Sequence, residues 1–413
     1  MERRSFLLSG AAFASAATGW AGANDRLRLG ILGTGGRGRA LLREAAPMAN
    51  VEIAALCDPD SQRMDQANAD LVERTGKKAV LHADLRRVLD DKSIDAVLIA
   101  STNHWHAPSA IWACQAGKHV YVEKPVSHNF VEGQKLVEAA RRYKRIAQGG
   151  TQRRSWGLWK KVAKTIHDGT IGDVYLSKWV FPGSRESIGF KSPEAPPANL
   201  NWDLWLGPAP DQPYHANLVH YNWHWFWDFG NGELGNNGIH LVDVSRWMMK
   251  RGLPSRVVSV GGRYGYRDQA ETPNTQTTTW TYDDGAAIVG EIRDLYTAET
   301  MSWDFFGTKG HLHCDGDKQF VIRFGRDKEL QPPVTDSERA NHIENFAAAI
   351  RANKPELLAA EIEQTAISTA MCHLGNISYR VGRELRFDVG QAQFDDDAAN
   401  ALLRRSYRAP YRV

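Results

Sequence analysis

From Arg26 onward apolar positions first alternate and then run together, as Leu27, Leu29, Ile31 and Leu32, and stop at Gly33, which predicts a strand. Arg39 to Ala45 has helical spacing, and between the two stand Gly33-Thr34-Gly35-Gly36-Arg37-Gly38. A second strand over Val51 to Cys57, a helix at about 60 to 76, a short strand near Val80 and a helix near 84 to 91 continue the alternation. A strand from Asp95 to Ala100, a helix from Pro108 to Ala116 and a strand from His119 to Val122 complete it. Repeated βα units predict a parallel sheet with helices on both faces. After Thr151 the pattern changes to longer β-like segments, Val174 to Phe181, Arg256 to Arg263, Thr277 to Tyr282, Ala286 to Arg293 and Thr300 to Phe306. Turns such as Asp283-Asp284-Gly285 separate them and suit a largely antiparallel sheet. The fold class expected is therefore α/β, in two domains.

Composition narrows the picture without choosing a function. In 413 residues, 51 Lys and Arg face 48 Asp and Glu, so no basic block makes nucleic acid the default partner. With 42% hydrophobic and 24% charged residues, the chain can bury a large core. Its 14 Trp either fill that core or offer flat surfaces for ligands. Cys57, Cys114, Cys314 and Cys372 are far apart and form no C-x-x-C, which reads as buried free thiols. At the N-terminus, Arg3-Arg4 precedes an apolar run from Phe6 to Ala17 and small residues at Ala21-Gly22-Ala23, a pattern that resembles a twin-arginine signal peptide over 1–23. Export folded, to the periplasm or outside the cell, is the expectation, with no membrane insertion after signal cleavage.

The glycine segment has a mechanical reading. Gly33 makes a tight turn, Gly35 lets a pyrophosphate approach the backbone, and Gly38 lets the helix pack on the strand, with the phosphates at the helix N-terminus. Asp58 ends the second strand at the distance expected of a carboxylate that binds ribose hydroxyls, which favours NAD over NADP. It also suits a helix N-cap before Pro59 and Asp60. Ligands of such sheets bind beyond the carboxyl ends of the strands, so Gly36, Thr102, Asn103, His106 and Glu123 join Gly33, Gly35, Gly38 and Asp58 as the expected cofactor-binding set.

The glycine fingerprint, Thr102-Asn103-His104-Trp105-His106, Gly117 to Pro125 (ending Glu123-Lys124-Pro125) and Gly238-Ile239-His240-Leu241-Val242-Asp243 occur in an order and spacing that resembles the Gfo/Idh/MocA oxidoreductases, named for glucose-fructose oxidoreductase and inositol dehydrogenase. The resemblance covers nearly all of the chain after the signal. It implies an NAD(P)-binding Rossmann domain over 24–150 and a substrate-binding α/β domain over 151–413. The second domain is expected to have an open sheet that serves as a homo-oligomer interface and a helix over 358–383 packing back on the first. It implies that Lys124 stabilises a developing alkoxide and that His240 acts as general base. Asp243 either orients His240 or is an ordinary helix residue. Many dehydrogenases of the family have Asp where this chain has Asn236, and a neutral amide is no base, so Asn236 and Asn237 are read as positioning sugar hydroxyls. Trp202, Trp205, Tyr221, Trp223, Trp225 and Trp227 raise a carbohydrate above other substrates, with Trp223 and Trp225 as stacking candidates and Asp243 counted with the substrate-binding residues. The pairs His104/His106, His220/His224 and His311/His313 form no closed ligand set, and no metal is expected.

The leading expectation is an exported NAD(P)-dependent oxidoreductase acting on a sugar or glycoside, with tightly bound NAD because no free pool is expected outside the cytoplasm. A redox-neutral NAD-dependent glycoside hydrolase or lyase, which oxidises, eliminates and re-reduces, is the second reading. A non-catalytic sugar-binding protein is the third, and the presence of Lys124 and His240 counts against it.

Overall fold

A computed structural model describes residues 26–325, 328 and 330–413, so the twin-arginine pattern lies outside the described residues. The first sheet contains β1 (Leu27–Leu32), β2 (Val51–Cys57), β3 (Val80–His82), β4 (Ala96–Ile99), β5 (His119–Val122) and β6 (Ala147–Gly149). All its pairs are parallel, in the order β3-β2-β1-β4-β5-β6. The connections are helical: α1 (Gly36–Ala45), α2 (Ser61–Thr75), α3 (Leu85–Asp90), α4 (Asn103–Gln115) and α5 (Phe130–Arg142). Chain order reverses between β1 and β4, and a crevice forms at such a reversal because the loops leave the sheet in opposite directions.

One helix departs from expectation in an informative way. α4 begins at Asn103, not at Pro108, which lies inside it. A proline has no N–H to give the carbonyl four residues back, here that of His104. Arg405 Nη2 donates to that oxygen instead, at 2.6 Å, so the first turn survives.

After α6 (Gly157–His167) comes the ten-stranded second sheet, in the order β14-β13-β12-β11-β7-β10-β9-β8-β15-β16. Its strands are β7 (Val174–Pro182), β8 (Arg256–Gly262), β9 (Thr275–Thr281), β10 (Ala287–Arg293), β11 (Ser302–Gly307), β12 (His311–Asp315), β13 (Gln319–Arg323), β14 (Val334–Thr335), β15 (Leu385–Asp388) and β16 (Gln393–Phe394). Only β7 and β10 pair in parallel. In β9 and β10 buried and half-buried positions alternate strictly, so one face is packed and the other is open. The short α7 (Trp202–Leu206) follows β7, and α9 (His342–Ala352) follows β14. The packed face meets α8 (Ile239–Met249) and α10 (Ile362–Val381), and α10 also lies on α5 and β6 of the first domain.

Trp159, Trp179, Trp280 and Trp303 are fully buried in this core, so a share of the tryptophan content goes to packing. The Trp179 indole lies so close over Gly290 of the neighbouring strand that a Cβ there would come within 2.0 Å of the ring. All four cysteines are buried free thiols. Among the described residues no helix is long and apolar enough to cross a membrane.

Candidate active site

The turn after β1 is fixed by backbone sterics. Gly33 has φ 87°, and a Cβ on it would lie 2.6 Å from the Ala100 backbone; a Cβ on Gly38 would lie 1.9 Å from the Gly33 carbonyl oxygen. At Gly35 and Gly36 a Cβ would meet nothing within 4 Å, because both face open space at the start of α1. Sterics within the protein therefore account for Gly33 and Gly38, and the open surface at Gly35 and Gly36 is where a diphosphate can approach the helix N-terminus.

Asp58 braces this turn. Its Oδ2 accepts from Thr34 N (2.7 Å) and Thr34 Oγ1 (3.2 Å), and its Oδ1 accepts from Asp60 N (3.0 Å). A carboxylate offers about four acceptor positions, so one remains for a ribose hydroxyl on the cleft side. Burial raises its pKa against the pull of these donors. The helix-cap alternative for Asp58 is corrected: Asp60 caps α2, accepting from Gln62 N (2.9 Å) and Arg63 N (3.2 Å).

The glycine turn and Asp58 lie at a cleft of about 450 Å³ whose lining includes Gly33, Gly35, Gly36, Asp58, Thr102, Asn103, His106, Glu123, Lys124, Trp223, Asn236 and His240. Gly38 sits behind the turn. Thr102 precedes α4, and Asn103 Nδ2 donates to Asn231 Oδ1 at 3.1 Å. His106 holds the loop after β5, with Nδ1 at 2.7 Å from the Pro125 carbonyl oxygen and Nε2 at 2.9 Å from that of Ser101. The Lys124–Pro125 peptide is cis. Buried Glu123 accepts from Arg37 Nε at 2.7 Å. Burial opposes ionisation of Glu123, but Arg37 and Lys124 overcome it and lower its pKa. Arg37, inside the glycine segment, is a residue that the motif reading missed. Glu123 fixes its guanidinium at the cleft wall.

Lys124 Nζ donates to the Asn236 carbonyl oxygen (2.7 Å) and to Asn236 Oδ1 (3.2 Å). Burial lowers its pKa, with Glu123 and Glu233 pulling the other way. Asn236 sits in a π-helical turn, Leu234–Gly238, that leads directly into α8 and places His240 one turn further on. His240 is 8% exposed, and its Nδ1 is buried without a partner among the described residues. Burial, then Arg153 and Lys124, hold its pKa well below the usual value, so the ring is neutral. Ser101 Oγ and Gln152 Oε1, on other walls of the cleft, are also buried without partners among the described residues. These orphaned groups, with the open glycine surface, fit a polar dinucleotide and substrate.

Residues 199–224 of the second domain reach across to the first. Asn201 N donates to the Pro59 carbonyl (2.8 Å), Ser61 N to the Asn199 carbonyl (2.9 Å), and Asn199 Nδ2 to Asp60 Oδ1 (2.8 Å). His220 Nε2 lies 2.9 Å from Asp60 Oδ2. Trp205, His220, Tyr221, Trp223 and His224 thereby face the glycine loop across the cleft. Trp223 stacks on His224 with centroids 3.6 Å apart.

Three substrate-binding expectations are not met. Asp243 is fully buried away from the cleft, paired with Arg154 by two contacts of 2.8 and 2.9 Å and accepting from Ser368 Oγ at 2.7 Å, so it cannot touch a substrate. Three positions along α8 from His240, it faces the packed elements. Asn237 donates to Glu233 Oε1 and does not line the cleft. Trp225 is buried outside the cleft, with the Arg185 guanidinium 5.4 Å from its ring. Trp202 stacks on Trp205 (4.8 Å, 13°), and Trp227 lines a different cavity. Glu233, buried and paired with Arg185 at 3.0 Å, was not singled out in the sequence, although it lies three residues before Asn236. His311 and His313 both bond to Asp304, at 2.7 and 2.8 Å.

Residues 27–151 match the family model described as the oxidoreductase family NAD-binding Rossmann fold, and residues 155–413 match that of its C-terminal alpha/beta domain. The chain belongs to the Gfo/Idh/MocA oxidoreductase family. It is 30% identical over 172 residues to Inositol 2-dehydrogenase 1 of Saccharopolyspora erythraea, covering 41% of this chain and 50% of that protein. It is 38% identical over 136 residues to a glycosyl hydrolase family 109 protein of Stenotrophomonas maltophilia, covering 30% of this chain and 29% of that protein. The chain thus spans half or less of the length of these two relatives. The WlbA dehydrogenase from Bordetella pertussis in complex with NADH and UDP-GlcNAcA is similar in fold, with TM-score 0.66 and 19% identity over 88% of this chain and 99% of that one. Family and structure together give an NAD-binding Rossmann domain joined to a mostly antiparallel α/β domain.

Proposed function

We propose that this Gfo/Idh/MocA oxidoreductase removes hydride from a sugar or glycoside hydroxyl carbon, using NAD that stays bound through the catalytic cycle. The observation that carries the reading is that Lys124, hydrogen-bonded to Asn236, and the neutral His240 ring share one cleft with the glycine loop. NAD, when bound, supplies the hydride acceptor. His240 takes the hydroxyl proton, and Lys124 donates a hydrogen bond to the oxygen as it becomes an alkoxide. The Asn236 amide holds the Lys124 ammonium in place. Arg37 and the open backbone at Gly35 and Gly36 bind the diphosphate, and the free acceptor position of Asp58 selects NAD over NADP. Residues 199–224 cover the cleft, which supports retention of the cofactor. The N-terminal Arg3-Arg4 pattern supports export in the folded state, and the open face of the second sheet supports a homo-oligomer.

Two measurements test this. Nucleotide released on denaturing the purified protein should be NAD(H), and NAD should bind more tightly than NADP; the absence of nucleotide together with no binding of added NAD overturns the enzymatic reading. Lys124→Met and His240→Ala should each slow single-turnover reduction of bound NAD by about 100-fold, with folding and cofactor content intact. Near-normal turnover removes that residue from the chemistry.

The likeness to a glycosyl hydrolase family 109 protein favours a second reading, in which transient oxidation allows elimination of the glycosidic bond and the hydride is then returned. Glycosides incubated without added cofactor or acceptor separate the two. Net oxidation should stop after one turnover, whereas redox-neutral cleavage continues.

A further inference from the structure

A second cavity, of about 270 Å³, lies between the end of α10 and the C-terminal tail, and it shares no lining residue with the cofactor cleft. Asn231 stands between the two. Its Nδ2 donates to the His128 carbonyl (2.9 Å), and its Oδ1 accepts from Asn103, so the cavity borders the cleft without opening into it.

The polar groups of this cavity are unbalanced. Asn129, 6% exposed, uses its Oδ1 to cap α5 by accepting from Glu132 N at 3.0 Å. That bond fixes which end of the amide is which and leaves Nδ2 buried with no partner among the described residues. Arg405 is anchored on two sides, with Nε donating to Glu132 Oε1 (2.8 Å) and Nη2 to the His104 carbonyl, while its Nη1 is buried with no partner among the described residues. Both orphaned atoms can only donate. His128 also lines the cavity with both ring nitrogens buried and without partners among the described residues, and burial keeps the ring neutral, so it offers one donor and one acceptor. The orphaned donors still outnumber that acceptor, and Arg380, Arg404 and Arg405 face the single carboxylate of Asp228. The chemistry that satisfies such a lining is a small acceptor bearing negative charge.

We propose that this cavity binds a small oxyanion, a carboxylate or phosphate group, through Asn129 Nδ2 and Arg405 Nη1. Nothing in this site depends on the reaction proposed for the cleft.

Calorimetric titration of the full chain, with NAD added to saturation so that the glycine loop is filled, tests it with inorganic phosphate in one arm and acetate in the other. One equivalent of at least one anion should bind, and the arm that binds identifies the source. Asn129→Asp keeps an oxygen to cap α5 but replaces the donor by a second carboxylate oxygen, and it should weaken binding by about 10-fold or more. Arg404→Gln, at an exposed position, should weaken it less and keeps the test open if the Asn129 variant does not fold. Binding of neither anion, or binding unchanged in both variants, overturns the site; this includes anion binding that belongs to an unfilled glycine loop, which neither variant alters.

Discussion

The wall of the cleft formed by residues 33–38 and the wall formed by residues 233–240 are held in place by different forces. The first is six consecutive residues shaped by backbone contact, with Gly33 and Gly38 where a side chain would strike a carbonyl or the neighbouring loop. The second is a π-helical turn and a helix start whose polar side chains are fixed by distant partners: Arg185 on Glu233, Lys124 on Asn236, and Arg154 on Asp243 behind them. A wall made by backbone sterics responds to added volume. One made by buried charges responds to the removal of a partner and to pH.

The largest effect that sharpens this contrast is expected at Asp243. In Asp243→Ala the Arg154 guanidinium, only 7% exposed, is left buried with its charge unpaired, at a cost of about 3–5 kcal/mol in urea unfolding. A cost under about 1 kcal/mol means that the pair does not hold this wall.

Next in size is Gly38→Ala, which should cost about 1–3 kcal/mol and weaken NAD binding, because the Gly33 carbonyl 1.9 Å away is backbone and yields little. Gly36→Ala, pointing into open space, should leave unfolding unchanged. Equal behaviour of the two would break the steric account of the first wall.

The effect at Asp294, which is buried near Glu233, differs from these in developing only as pH rises. Burial first, and then the Glu233 charge, push its pKa up to about 8. Its folded pKa lies above the ordinary 3.8, so its contribution is fully present below about pH 4 and is lost as pH rises towards about 8. Asp294→Asn should therefore raise the melting temperature at pH 8 and leave it unchanged near pH 4. An equal shift at both pH values would show that Asp294 is not protonated in the fold.

How far the sequence could be read follows the same division. The glycine loop was legible because strand, turn and helix are local, and its residues act where they stand in the chain. The start of α4 was misread because the donor that replaces the missing N–H of Pro108 comes from Arg405, almost 300 residues later. Asp243 was misassigned for a related reason. Three residues after His240 it is close in sequence, but the helix turns its carboxylate towards Arg154 and Ser368. Tryptophan content leaves core filling and ligand stacking both open, and the structure divides them: Trp179 and Trp303 fill the core and Trp223 faces the cleft, a difference in burial that a count cannot carry.

By itself the sequence determined the βα alternation, the glycine turn, the position of Lys124 at a strand end and that of His240 at a helix start, because each follows from periodicity or steric rules acting over a few residues. Only the tertiary structure decided that Lys124 meets Asn236 across 112 positions, that Asp60 rather than Asp58 caps α2, and that residues 199–224 close over the cleft. Those outcomes depend on which buried polar group finds a partner, and a buried donor or acceptor takes its partner from whatever the fold brings near, however distant in the chain.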